Sequence, residues 1–127
     1  MPKIQFAIPV LPAVDMAKSL AFYTKNLGFK EAFRDDDKKP KYVGIERDGV
    51  ILHLCEVTPA TTAKLVASQT MCRFTVDDVD ALYKEFSKHK DVIHPNGKLA
   101  TKPWGTREFG VLDPAGNCLS FVVPSRS

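Results

Sequence analysis

The 127-residue sequence predicts an α+β fold made of one unit used twice. Each copy reads as strand, helix, then three strands, the first over about residues 1–60 and the second over about 70–127. Three observations carry this reading. Val14-Asp15 stands just before the first helical stretch, and Val76-Asp77 just before the second. The Asp48-Gly49 hairpin signal is echoed by the turn Asp113-Pro114-Ala115-Gly116-Asn117. The strand-like runs also share one design, apolar on one face and mixed on the other. Internal repetition of this kind constrains a fold more tightly than any single element does.

In chain order, Ile4, Phe6, Ile8 and Val10 alternate with Gln5 and Ala7 as a first strand, ended by Pro9 and Pro12. Asp15 suits an N-cap, Met16, Leu20, Tyr23 and Leu27 recur at helical spacing, and Gly28 suits a left-handed C-terminal residue. Strands follow at Glu31 to Arg34, Tyr42 to Arg47 and Val50 to Val57. Thr58 to Gln69, rich in Thr and Ala, reads as a connector of weak helical character. The second copy begins with the alternation Met71 to Val76. A helix capped by Asp77 or Asp78 follows, with Val79, Leu82, Tyr83 and Phe86 as its buried stripe. After Val92-Ile93 and the turn at Pro95-Asn96-Gly97, an edge-like run leads to Lys102. A hairpin then joins Arg107–Leu112 to Cys118–Val123.

Composition narrows the function classes. The net charge of +3 is modest, and the densest charged segment, Lys30 to Lys41, mixes both signs, which argues against a nucleic-acid role. No apolar run reaches the roughly 20 residues of a membrane span, and the N-terminus lacks a signal-peptide core, so a cytoplasmic protein is expected. Cys55, Cys72 and Cys118 form no CxxC pair and are odd in number, as reduced thiols would be. His89 and His94, on or just after the second helix, read as solvated surface residues.

Side chains alternate along a strand, so Leu52 and Leu54 oppose Ile51, His53 and Cys55. Cys72, Phe74 and Val76 likewise oppose Met71, Arg73 and Thr75, and Leu119, Phe121 and Val123 oppose Cys118 and Ser120. One face of each strand suits a helix. The other has the mixed polarity of a wall that holds a small ligand or meets a partner subunit.

The segments PVLPAVDMAKSLAFYTKNLGF, YVGIERDGVILHL, VDDVDALYKEF and PWGTREFGVLDPAGNCLSFV together resemble the glyoxalase, bleomycin resistance and extradiol dioxygenase superfamily over nearly the whole length. The run PWGTREF followed by DPAGN resembles the bleomycin resistance proteins in particular. The resemblance implies paired βαβββ modules in a curved mixed sheet with helices on one side. It also implies a homodimer, with N-terminal strands sometimes exchanged about a proline such as Pro9, and ligand crevices at the subunit boundary. Enzymes of the superfamily hold a divalent metal through inward-facing residues. The corresponding positions here are Ile8, Met71, His53 or Cys55, and Ser120, a set too poor in donors for a divalent site, so no metal or other cofactor is expected. Binding by stacking fits better. The resemblance assigns ligand contact to Tyr42 and Trp104, with Cys55 on the floor, Gly105, Arg107 and Phe109 after the tryptophan, and Arg73 where a second tryptophan is often found. His53 and Ser120 complete the expected wall. The expected ligand is bleomycin-like or otherwise planar and aromatic, sequestered without chemistry. A metal-dependent lyase or oxidoreductase is the alternative, and a partner-binding module without a small ligand a third.

Overall fold

A computed structural model of the chain describes residues 1–124. The first repeat contains β1 (Val10–Ala13), α1 (Met16–Ala21), β2 (Lys30–Arg34), β3 (Tyr42–Arg47) and β4 (Val50–Glu56). Helix α2 (Ala60–Ser68) leads to the second repeat, β5 (Met71–Thr75), α3 (Val79–Ser87), β6 (Ala100–Thr101), β7 (Arg107–Leu112) and β8 (Cys118–Val123). Each repeat closes its own four-stranded mixed sheet, in the orders β1-β4-β3-β2 and β5-β8-β7-β6. The first strand of each runs parallel to the last, and the remaining pairs are antiparallel.

Local chemistry explains most boundaries. The Asp15 carboxylate accepts from the Lys18 amide at the start of α1, and Asp78, the second of the two acids expected there, accepts from the Ala81 amide at the start of α3. α1 passes into a π-helical turn, Phe22–Asn26, and the chain leaves it through Gly28 at φ +77. Asp48 and Gly49 both adopt positive φ, the geometry that matches a two-residue hairpin to strand twist.

Two expectations need correction. The first strand begins at Val10, not Ile4: residues 1–9 are outside any strand, and Ile4 and Phe6 are 98% and 66% exposed. The register starts at Val10 opposite His53, and the one backbone bond further back is from the His53 amide to the Pro9 carbonyl. Among the described residues, no strand pairs with the arm. The Thr58 to Gln69 connector is largely helix, with Ala63 and Ala67 buried, because small residues four apart give α2 a face that packs closely.

The helix-side faces of both sheets meet in one core. Leu11, Tyr23, Leu27, Val43, Ile45, Leu52 and Leu54 from the first repeat join Phe86, Phe109, Val111, Leu119 and Phe121 from the second. Polar links also cross between the repeats at its margins. Arg47 reaches from β3 to Glu85 on α3 at 2.8 Å and lies over the Phe86 ring. Asp113, in the β7–β8 turn, accepts from the amides of Ala115, Gly116 and Asn117 through Oδ1 and from Tyr23 and the Asn117 side chain through Oδ2. Asn117 also donates to the Pro12 carbonyl, 105 positions earlier in the chain. The DPAGN sequence is therefore a fastening between repeats.

Candidate functional site

The faces turned away from the core carry two clusters, one on each sheet. On the first sheet, the register aligns Phe33, Gly44 and His53 across β2, β3 and β4. Gly44 has no side chain, and the Phe33 ring occupies that space: a Cβ on Gly44 would overlap the ring. Phe33 stacks near Tyr42 with ring centroids 6.3 Å apart and meets His53 edge-on at 5.1 Å. The Tyr42 hydroxyl and His53 Nδ1 are hydrogen-bonded at 2.8 Å, which fixes both rings. Cys55 lies opposite Tyr42 in the register, on the same face and half-buried. Together these residues form a rigid aromatic surface with Phe33 45% exposed at its edge.

On the second sheet, Arg73, Ser120 and Gly110 align across β5, β8 and β7. Arg73 donates to Ser120 Oγ at 3.2 Å and to both carboxylate oxygens of Glu108, at 3.2 and 3.5 Å. Thr106 donates a shorter bond, 2.6 Å, to Glu108. Hydrogen bonds from Arg73, then from Thr106, hold the Glu108 carboxyl below its ordinary range, with the Trp104 indole as a lesser contributor. Trp104 itself sits in a tight loop closed by two backbone bonds, Lys102 N–H to Thr106 O and Gly105 N–H to Lys102 O. Pro103 and the positive φ of Gly105 shape that loop. The indole is 68% exposed, an unusual position for the chain's single tryptophan.

Of the nine residues expected at the site, seven lie on or beside these faces: Tyr42, His53 and Cys55 on the first sheet, and Arg73, Trp104, Gly105 and Ser120 on the second. Arg107 and Phe109 do not. The alternation along β7 turns both toward α3, where Arg107 pairs with Asp80 at 2.7 Å. Phe109 is 2% exposed and stacks on Phe121. The residue between them, Glu108, takes the outward place. Phe33 and Glu108 were missed, although pairing Gly110 with Ser120 is enough to put Glu108 on the wall. His94 also departs from expectation: half-buried, it accepts from the Asn96 amide and holds the turn before β6.

Among the described residues, no group of three or more His, Cys, Asp or Glu side chains converges as a metal would require. No hydrogen bond or ring contact joins the two clusters to each other among these residues.

The family model described as the Glyoxalase/Bleomycin resistance protein/Dioxygenase superfamily matches residues 5–121. The chain belongs to this superfamily. Bleomycin resistance proteins of Geobacillus stearothermophilus and Staphylococcus aureus are each 31% identical to it over 134 aligned residues, covering 95% of this chain and 98% of theirs. The bleomycin-binding protein of bleomycin-producing Streptomyces verticillus, solved with copper(II)-bleomycin, is 32% identical with a TM-score of 0.77 and full coverage of both chains. The bleomycin resistance determinant encoded on transposon Tn5, at 22% identity and a TM-score of 0.75, shares the fold. Within the superfamily this chain is thus similar to bleomycin resistance proteins, and its α+β architecture of two four-stranded mixed sheets is theirs. Among the described residues, no helix is long and apolar enough to cross a membrane.

Proposed function

We propose that this protein binds a planar antibiotic of the bleomycin class and sequesters it without chemical change, in crevices where the first sheet of one chain faces the second sheet of another. The exposed Trp104 carries the reading. A tight loop holds the indole in water at an energetic disadvantage that a stacked guest relieves, gaining about 0.5–1.5 kcal/mol per aromatic pair beyond area burial. The Phe33 and Tyr42 rings, within 21° of parallel and held edge-on by His53, supply an opposing aromatic surface, and the relatives described above support the ligand class.

The arm supports a dimer. Residues 1–9 carry strand-like alternation yet leave Ile4 and Phe6 in solvent, while the outer edge of β5 has no partner in its sheet. A second copy that received the arm would satisfy both. Ile8, Met71 and Ser120 stand where the superfamily's enzymes carry metal donors, which supports binding over catalysis. The chain's single tryptophan gives a direct test. Metal-free bleomycin should quench its fluorescence saturably, at one drug per protomer, and the drug should be recovered intact. A flat trace up to high micromolar drug removes the antibiotic reading.

A further inference from the structure

The outward face of the second sheet poses a problem for a cationic ligand such as bleomycin: it carries Arg73. Its side chain is 47% exposed, so its positive charge lies on the open side of the sheet. Glu108 lies against it, with a side chain only 12% exposed. A carboxylate so enclosed needs partners, and it has three bonds: two from Arg73 and one from Thr106. Glu108 accepts from both Nη1 and Nη2 of Arg73 and Ser120 from Nη1, and the N–H groups of a guanidinium point in its plane. Edge bonding leaves the faces of the plane available for stacking.

We propose that Glu108 is a specificity-determining residue of this site: by cancelling the charge of Arg73 and pinning its edge, it turns an obstacle to cations into a neutral flat surface. Arg73 is then the stacking element opposite the aromatic surface, and Glu108 acts through it as a positioning residue. A lone arginine would select planar anions. The pair admits planar cations and neutral rings, and the charge preference of the site is set by the balance of the two side chains and not by the overall +3 of the chain.

This inference rests on the reading that the ligand sits beside Trp104. The test compares a planar anion, 8-anilinonaphthalene-1-sulfonate, with metal-free bleomycin as the cation, in the wild-type protein, E108Q and R73Q. E108Q keeps the shape of Glu108 and removes its charge. It should weaken bleomycin about tenfold and tighten the anion, reversing the preference, whereas R73Q should weaken the anion more than the cation. Thermal melts identify any variant that fails to fold, and the other then decides. If the wild type binds neither probe, the binding reading falls and the inference with it. If the wild type binds and the substitutions change both affinities by the same factor, or neither, the ligand site stands and the role of Glu108 is overturned.

Discussion

The Tyr23 hydroxyl donates a 2.6 Å hydrogen bond to Asp113 Oδ2, joining a helix of the first repeat to the hairpin turn of the second across 90 positions of sequence. Tyr23 is completely buried, and burial followed by the Asp113 charge pushes its phenol well above the ordinary value, so it remains a neutral donor. Tyr23→Phe removes the donor and leaves an enclosed carboxylate oxygen with Asn117 alone on that side. The expected loss is about 1–3 kcal/mol in denaturant unfolding, with Trp104 emission in the folded state unchanged.

Gly44 and Phe33 give the clearest separation of binding from stability. Gly44→Ala puts a methyl group where the Phe33 ring lies, and the ring has to turn toward solvent to make room, since it is a side chain already 45% exposed. The aromatic surface loses its edge. Bleomycin affinity should fall about tenfold, equivalent to ~1.4 kcal/mol, while the melting temperature moves little.

Trp104→Ala should weaken ligand binding by at least the same factor and leave unfolding free energy nearly unchanged, since the indole is mostly in solvent already. Calorimetric titration replaces fluorescence in this variant, which has no other tryptophan.

Acid should weaken the fold in part through Glu108. Folding depresses the Glu108 pKa, so the stability this group contributes is fully present above its unfolded value and disappears as pH falls through the lower, folded value. Unfolding free energy measured down through the acid range should fall less steeply in E108Q than in the wild type, and equal slopes would remove the assignment.

Deleting residues 1–8 tests the arm. The account expects the shortened chain to sediment as a monomer with its core intact, because none of the deleted side chains belongs to that core, and to lose drug binding along with the dimer.

The duplicated fold was legible from residues that act locally. Asp15, Asp48-Gly49 and the 107–123 hairpin announce themselves through capping and turn chemistry, which depend on near neighbours. The site was legible only in part, because its residues are chosen by strand register. Arg107 and Phe109 sit in the same motif as Trp104 yet turn to the helix side, Arg107 to Asp80 and Phe109 into the core, and the difference is a one-residue phase along β7 that composition does not encode. Phe33 was hidden for another reason: its ring lies in the sheet because Gly44 is opposite it, a pairing between strands that no stretch of sequence displays. The arm is read as a strand because alternation reports that a segment can pair, not that its own sheet offers it a partner.

The most direct measurement is a crystal structure with metal-free bleomycin. The account predicts the drug's planar rings between Trp104 and Arg73 of one chain and Phe33 and Tyr42 of a second, with the drug unmodified. A cation coordinated by His53 in that crevice, or the drug bound away from Trp104, would contradict it.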